Sequence, residues 1–449
     1  MKQTRLVLAF EVALVAAAVA VGAWLNHRRV PIHADAPPLY ASWLPHVGPG
    51  TPVALAVAVL VVHRGPVWAS RLPWRRALPV LYLTALAWTL GLALVDGWSR
   101  GVATRLTPQA EYLHDVPKVA GIGAMLAGFS GHILDFRPGS WATHVAGHPP
   151  GAFLIFVVLD HIGLRGGAWA GMLCVVVGAT APVSVAVALR RLDGEATARR
   201  VLPFLALFPG AVWVGASADG IFAAVLAAGL ALLASGGWRG ALTGGVLLGF
   251  ALYLSYGLVL AGGLALAVIV LLRRGACRSG ARSALDSGRR LAVTLAALAG
   301  AGAVVVAFTV AGFWWLTGYR LVVERYYQGW AADRPYSYWV WANLASLVLC
   351  AGPVVGPALY RAAVAERLSN VDAASPRRGL ALLPFAALAA ICVADVTGLS
   401  KAEVERIWLP YAIWLLVATA WLPAAHRRWW LAAQALTALA INHALLTGW

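Results

Sequence analysis

Apolar runs long enough to cross a membrane recur from the first residues of the chain to the last, separated by short polar connectors. About 20 apolar residues in a helix cross the hydrocarbon core of a bilayer. The 449 residues are 61% hydrophobic and 12% charged, whereas about a quarter of the residues in a soluble domain are charged. The pattern excludes a soluble enzyme, a disordered chain, a coiled coil and a disulfide scaffold. It predicts an all-α, polytopic bundle of about 13 to 14 transmembrane spans.

Positive charge is concentrated in the connectors between these runs. A net charge of +17 would suggest a nucleic-acid partner in a soluble chain, but arginines in short connectors follow the positive-inside rule of membrane proteins. We therefore expect a multi-pass cell-membrane protein, in a bacterial plasma membrane given the Ala-, Gly- and Leu-rich composition, with the bilayer and no nucleic acid as partner. The predicted inner-face connectors are 71–76, 190–200, 273–290, 361–378 and 427–428.

The connectors also suggest a domain organisation. The first apolar run lacks a clear cleavage site after it, so we interpret it as a retained helix rather than a signal peptide. The run 150–164 is short, and whether it crosses the membrane stays open. The predicted regions are an N-terminal hairpin (1–76), a core with an outer loop at 97–149 (77–273), a basic linker (274–290) and a C-terminal region with outer loops at 316–337 and 397–407 (291–449).

Many of the few carboxylates lie near the predicted outer face. This position is expected, because burying a charge in hydrocarbon costs a few kcal/mol. Asp96 ends the span before the loop 97–149, and is either an ordinary interfacial carboxylate or a chemical group. The loop is too long for a bare connector. It predicts a short helix carrying Glu111, His114 and Asp115, followed by an amphipathic helix over 119–136 that lies on the bilayer.

The end of this loop contains two histidines. His144 and His148 have the i, i+4 spacing of a zinc pair, but Gly147 and the prolines at 149 and 150 oppose the helix that such a pair needs. We expect instead a stiff turn that presents His148 at the top of a span. The four cysteines predict neither a disulfide framework nor a metal set, so no metal-ligating residues are predicted.

The outer loop 316–337 combines cations with aromatic rings. In the loop 316–337, Arg320, Arg325, Tyr326 and Trp330 suit either an interfacial aromatic belt or the faces of a sugar and the oxygens of a phosphate. Asp219, in a short bend between two runs, is expected to act as a helix N-cap.

The segment 395–408 carries five charges beside a span. Ser400 and Glu403 predict a capping box at the start of the next helix. Lys401 and Glu405 are one helical turn apart and suit an exposed salt bridge. The alternative is an anion-binding site that includes Arg406, and both interpretations stay open.

The layout resembles the C-type (GT-C) glycosyltransferases, which are integral membrane enzymes that use polyprenyl-phosphate sugars. Asp96 matches the acidic position after an early span, and the loop 97–149 matches the outer loop with two juxtamembrane helices. His148, Pro149 and Pro150 resemble the His-Pro-Pro of protein O-mannosyltransferases. The stretch 143–151 and the segment 401–408 also resemble a group of actinobacterial membrane proteins. Many GT-C enzymes have a second acid after the early span, where this chain has Gly97.

The resemblance implies an inverting transferase that moves a sugar, mannose or arabinofuranose first, from a polyprenyl monophosphate donor to a glycan, lipid or protein hydroxyl on the outer face. Asp96 is the expected base, with Asp115 or Glu111 as alternatives. Some relatives use a divalent cation such as Mg²⁺ or Mn²⁺. The alternative functions are a lipid-linked glycan flippase or transporter, or a glycan ligase or polymerase. Expected substrate-binding residues are His144, His148, Arg320, Arg325, Tyr326, Trp330, Lys401, Glu405 and Arg406.

Overall fold

A computed structural model describes residues 2–278, 284–369, 377 and 379–448. It is 75% helical. The first half contains α1 (Lys2–His27), β1 (Ala41–Trp43), α2 (Thr51–Arg71), α3 (Trp74–Ala93), α4 (Tyr112–Asp115), α5 (Ile122–Gly128), α6 (Thr143–Ala146), α7 (Pro150–His161), α8 (Gly167–Gly178), α9 (Ala181–Asp193), α10 (Glu195–Ala206), α11 (Ala211–Val214) and α12 (Ala218–Leu233). The second half contains α13 (Trp238–Leu252), α14 (Gly262–Arg278), α15 (Ala284–Val310), α16 (Trp315–Tyr327), α17 (Tyr336–Ala351), α18 (Val355–Ser369), α19 (Leu382–Val396), α20 (Val404–Ile407), α21 (Leu409–Leu415), α22 (Arg427–Ala444) and β2 (Leu445–Thr447).

The all-α, membrane-embedded architecture is confirmed. Within the described ranges, five helical segments are long and apolar enough to cross a bilayer, and the pair α17 and α18 makes a sixth if this pair, bent by 92°, is one span. The prediction of about 13 to 14 spans rests on further apolar runs, several of which form shorter or broken helices. That number stays a prediction. The five segments are Lys2–His27, Thr51–Arg71, Trp74–Asp96, Gly167–Asp193 and Leu291–Val310.

The helix α7 bears on the question of how the chain crosses between residues 150 and 190. It has 12 residues, which at 1.5 Å per residue give about 18 Å, well short of a hydrocarbon core of about 30 Å. The following segment, Gly167–Asp193, is 27 residues long. One crossing by that segment would give the odd number that the charge pattern requires, and whether α7 crosses stays open.

Basic connectors meet at one end of the bundle, which we call the basic end. Arg199 donates hydrogen bonds to the carbonyl oxygens of Ala69 (2.6 Å) and Leu72 (2.8 Å). Arg190 lies over the ring of Trp74, 4.9 Å from its centroid. Connectors that are distant in the sequence therefore share one face, as the positive-inside pattern predicts.

The opposite end, which we call the loop end, carries Asp96 and the loops at 97–149, 316–337 and 397–407. The helix α3 fixes this polarity, because it starts at Trp74 on the basic end and its 20 residues span about 30 Å before Asp96. The predicted linker 274–290 is partly helical: α14 extends to Arg278 and α15 begins at Ala284, while 279–283 lie outside the described residues.

The helix α12 lies at the centre of the bundle and places an acid at the loop end. Most of its residues are buried, and it packs against α8, α9, α13 and α21. Its N-cap is Ser217, whose hydroxyl oxygen accepts a hydrogen bond from the backbone N–H of Asp219 at 3.2 Å. The expectation that Asp219 is the N-cap is therefore wrong, because Ser217 caps the helix and the carboxylate of Asp219 binds Arg406 instead.

At the loop end, a short antiparallel β-ladder joins the segment after α1 to the segment after α22. The sequence did not predict this ladder. Ala41, Ser42 and Trp43 pair with Thr447, Leu446 and Leu445 respectively. Three-residue strands give too short an alternation to be read from a sequence. The ladder holds the segment after α1 against the segment after α22.

Candidate functional site

A set of charged side chains lies at the loop end, and we call Glu111, His144, Asp219, Glu403 and Arg406 the Arg406 cluster; all but Glu403 are buried. The residues come from four separate segments: Glu111 precedes α4, His144 lies in α6, Asp219 lies in the first turn of α12, and Glu403 and Arg406 flank the start of α20. Arg406 is 5% exposed and Asp219 is 3% exposed. The fold therefore gathers into one site acids, a histidine and an arginine from loops that are far apart in the sequence.

Arg406 is the centre of this set. Its Nη1 donates to Asp219 Oδ2 at 2.9 Å, and its Nη2 lies 3.4 Å from both His144 Nε2 and Glu403 Oε2. Burial on its own would lower the pKa of the guanidinium, but Asp219, Glu403 and Glu111 outweigh that effect and raise it. Arg406 is therefore a fixed positive charge surrounded by carboxylates.

Glu111 and His144 form the second contact pair of the cluster. His144 Nδ1 lies 2.8 Å from Glu111 Oε1, and both side chains are buried. The other ring nitrogen, Nε2, lies beside the guanidinium of Arg406, so the imidazole ring is held between the carboxylate and the arginine. Burial would raise the pKa of Glu111, but His144 and Arg406 together hold it below its usual value. Glu111 is therefore ionised at neutral pH.

His148 lies beside this pair, where the stiff turn at the start of α7 places it. Its Nδ1 is 2.8 Å from the carbonyl oxygen of His144 and 3.0 Å from the hydroxyl of Tyr112. Burial lowers the pKa of His148 to about 4. The ring is therefore neutral at pH 7 and suited to hydrogen bonding rather than to charge pairing.

The segment around Lys401 differs from the prediction. Glu403 has a φ of +63° and precedes α20 without a side-chain cap, so the capping box with Ser400 is wrong. A left-handed residue cannot take up the helical N3 position that a capping box requires. Glu403 instead accepts a hydrogen bond from Arg334 at 3.0 Å.

The expected exposed salt bridge between Lys401 and Glu405 is also wrong, because both residues are buried and bind other partners. Lys401 Nζ donates to the carbonyl oxygen of Arg334 at 3.1 Å and lies over the ring of Tyr327. Glu405 is fully buried and its Oε1 accepts from the backbone N–H of Tyr40 at 2.8 Å. Burial raises the pKa of Glu405 to about 7.

Asp96 lies in a separate set of contacts, which we call the Asp96 clasp. Its Oδ1 is 2.7 Å from His46 Nε2 and its Oδ2 accepts from Arg105 at 2.9 Å. Arg105 also donates to the carbonyl oxygen of Thr447 in β2 at 2.8 Å. Gly97 has a φ of +79°, which L side chains rarely adopt. The turn after Asp96 therefore favours glycine at position 97.

Asp115 organises the long loop. One of its oxygens binds Lys118 Nζ at 2.5 Å and the other accepts from the backbone N–H of Ala142 at 2.6 Å, and the side chain is fully buried.

The predicted amphipathic helix over 119–136 is shorter, with α5 followed by a 3-10 turn. The expectation that its apolar face lies on the bilayer is wrong, since that face packs into the protein core through Met125, Leu126, Phe129 and Ile133.

The predicted residues of the loop 316–337 divide into engaged and exposed side chains. Arg325 pairs with Asp135, and the hydroxyl of Tyr326 accepts from the backbone N–H of Lys401 at 2.8 Å. Arg320 is exposed. Trp330 is also largely exposed and stacks on the ring of His33.

The structure brings together Glu111, His144 and Arg406, with His148 beside them, and it separates Asp96 and Asp115 into contacts of their own. Sequence reasoning did not assign His46 or Arg105 to a site. It also gave Asp219 only a capping role. The one signal that pointed to Asp219 was its position between two apolar runs at the predicted outer face. Arrangements of three or more His, Cys, Asp or Glu side chains suited to a metal ion are not found in the described part of the chain.

A scan against protein-family models finds no match, and a search of curated proteins finds no similar sequence. The function is therefore argued from the geometry of the site and the character of its side chains.

Proposed function

We propose that the chain is a membrane glycosyltransferase that moves a sugar, mannose or arabinofuranose first, from a polyprenyl monophosphate to a hydroxyl acceptor on the outer face. The observation that carries the proposal is the Arg406 cluster, in which acid, histidine and arginine side chains from distant loops are buried together at the loop end. Buried, mutually oriented ionisable groups are typical of catalytic sites. Here they lie at the end of the bundle opposite the basic connectors, which is the outer face under the charge rule.

The reaction needs one base and a stabilised leaving group. The acceptor oxygen attacks the anomeric carbon of the sugar and forms the new glycosidic bond. The bond between that carbon and the phosphate oxygen breaks, and its electron pair leaves with the polyprenyl phosphate. A carboxylate accepts the proton of the acceptor hydroxyl.

Glu111 is the base that the contacts favour. It is ionised, its Oε1 lies beside Nδ1 of His144, and Arg406 lies on the other side of that ring. Both oxygens of Asp96 are instead engaged by His46 and Arg105. In this proposal His144 and Arg406 position Glu111, while Asp96 has a structural role, because it binds Arg105, which in turn binds β2.

The leaving phosphate requires a cation that is not already neutralised. Arg406 and Arg325 are paired with carboxylates, whereas Arg320 is exposed on α16. The exposed ring of Trp330 offers an apolar face of the kind that packs on sugar C–H groups. We therefore assign phosphate binding to Arg320 first, and sugar packing to Trp330.

The test is an assay of the purified full chain in detergent with radiolabelled polyprenyl-phosphate mannose and arabinofuranose and a panel of hydroxyl acceptors. We expect consumption of one donor and appearance of one labelled product. Transfer of a single sugar distinguishes this function from a ligase or polymerase, which would transfer a chain. Absence of donor consumption with every acceptor would contradict the proposal.

A transporter of lipid-linked glycans is the second candidate, and one observation favours it. The helices α17 and α18 are bent by 92° at a short break, and broken helices line the substrate sites of many transporters. Reconstituted vesicles distinguish the two functions: a transporter would move a labelled lipid-linked sugar between leaflets without altering it, and a transferase would convert it.

A further inference from the structure

A single acid interrupts the most apolar span of the chain. Glu11 lies in α1, whose sequence contains no other Asp or Glu. It lies six residues after Arg5, the last charged residue of the first turn, which is about 9 Å along the helix axis, and it is flanked on both sides by apolar residues inside a hydrocarbon core of about 30 Å. Ionisable residues at this depth are expensive to bury and are usually functional.

Glu11 contacts the break between α17 and α18. Its Oε1 accepts a hydrogen bond from the backbone N–H of Gly356, the second residue of α18, at 2.9 Å. A Cβ at position 356 would lie 2.2 Å from Oε1, so glycine is required for this approach. Glu11 thus satisfies one of the backbone N–H groups that the start of a helix leaves unpaired.

The second oxygen of Glu11 is in a different situation. Oε2 is buried, and the described residues provide no hydrogen-bond partner for it. The residue as a whole is 6% exposed. An ionised carboxylate here would leave a charged oxygen without compensation, which costs several kcal/mol in a low-dielectric interior.

The ionisable groups of the packed elements do not neutralise Glu11. The helices α17 and α18 pack against α1, and their ionisable residues include Tyr338, Tyr360 and Arg361. Tyr338 donates to the carbonyl of Ala18, Tyr360 donates to the side chain of Gln3, and Arg361 donates to the carbonyl of Trp421. Among the described residues, Glu11 forms no ion pair with a Lys, Arg or His side chain.

We propose that Glu11 is a proton-binding site within the membrane, at the break between α17 and α18, and that it holds its proton at neutral pH. The ligand is a proton, bound at Oε2 as a neutral carboxylic acid, while Oε1 accepts from Gly356. Loss of the proton would create a buried charge, so proton binding is coupled to the packing of α1 against α18. This inference does not depend on the glycosyltransferase proposal.

Infrared difference spectroscopy of the full chain in lipid vesicles tests the site directly. The C=O stretch of a neutral carboxylic acid is separate from the bands of a carboxylate. Subtracting the spectrum of Glu11→Gln from that of the unsubstituted protein at pH 7 is expected to reveal the loss of one carboxylic-acid band. Glu324→Gln is the matched control, because Glu324 is exposed on α16 and should lose carboxylate bands at the same pH.

Thermal unfolding at pH 7 provides the second measurement. Glu11→Gln keeps a neutral side chain of the same shape, so its unfolding temperature should match that of the unsubstituted protein. Glu11→Ala removes the acceptor for Gly356 and should unfold at lower temperature. Loss of carboxylate bands in Glu11→Gln at pH 7, with no change in the acid band, would overturn the proposal.

Discussion

The guanidinium of Arg406 lies 2.9 Å from the carboxylate of Asp219, although the two residues are 187 positions apart in the chain. The pair joins the N-terminus of the central helix α12 to α20, and both side chains are almost completely buried. A buried ion pair is costly to break from one side, because the remaining charge has no partner.

Replacing either partner should therefore destabilise the protein. We expect Arg406→Met and Asp219→Leu each to lower the free energy of unfolding by about 3 to 5 kcal/mol, measured as thermal unfolding in detergent. The double variant should lose less than the sum of the two. Arg320→Met, at an exposed position of α16, is the control. Additive losses in the double variant would show that the two side chains do not interact.

The Asp96 clasp should stabilise the pairing of β1 with β2. Ser42 and Leu446 are Cα partners in the β-ladder, so cysteines at both positions should form a disulfide rapidly on mild oxidation. Asp96→Ala in that background removes the acceptor of Arg105 and should slow formation of the disulfide several-fold. Asp333→Ala, at an outer-loop acid that is largely exposed, should leave the rate unchanged, and an equal slowing in both variants would count against the clasp.

Much of the fold follows from the sequence, because run length and arginine placement act locally. Runs of about 20 apolar residues have few alternatives to a helix in a bilayer. Arginines in connectors indicated which ends lie together, and Arg199 beside Ala69 is an example. The histidine turn was also foreseeable, since Pro149 and Pro150 restrict the backbone before α7.

The site was less predictable because its contacts are non-local. One sequence does not reveal that Arg406 binds Asp219, 187 positions away, or that Lys401 and Glu405 do not bind each other. The error at Ser400 and Glu403 has a similar origin: the motif fits a helix start, but Glu403 adopts a left-handed conformation and pairs with Arg334. Tertiary contacts override a local capping preference in this segment.

Stability should depend on pH through Glu405. Its pKa is raised from 4.5 to about 7 by burial, so the folded protein retains a proton that the unfolded chain releases between these values. The free energy of unfolding should therefore fall as the pH rises from 4.5 through 7, by up to about 3 kcal/mol. Glu405→Gln removes this dependence.

His148 acts with the opposite sign and must be separated from Glu405. Its pKa is lowered from 6.5 to about 4, so its contribution to stability is present above pH 6.5 and is lost as the pH falls towards 4. The difference in unfolding temperature between Glu405→Gln and the unsubstituted protein isolates Glu405, since His148 is common to both. We expect that difference to grow in favour of the variant between pH 5 and pH 8; a constant difference would contradict the assignment.

The basic end and the loop end should be accessible from opposite sides of the membrane. Single cysteines introduced at the exposed positions Arg75 and Arg428, and at His114 and Arg320, can be labelled with a membrane-impermeant maleimide after the four native cysteines are replaced by serine. In intact cells only positions 114 and 320 should react, and positions 75 and 428 should react after permeabilisation. Labelling of Arg75→Cys and Arg320→Cys from the same side would overturn the proposed orientation.

The measurement that tests the central claim most directly is donor consumption by Glu111→Gln, compared with Asp96→Asn and with the matched controls Glu324→Gln and Asp333→Asn. If Glu111 is the base, Glu111→Gln should lose activity by a factor on the order of 10² to 10⁴, while the two controls retain full activity. Asp96→Asn should lose stability but keep measurable transfer once folded. Full transfer by Glu111→Gln would contradict the account, and loss of transfer in folded Asp96→Asn alone would assign the base to Asp96.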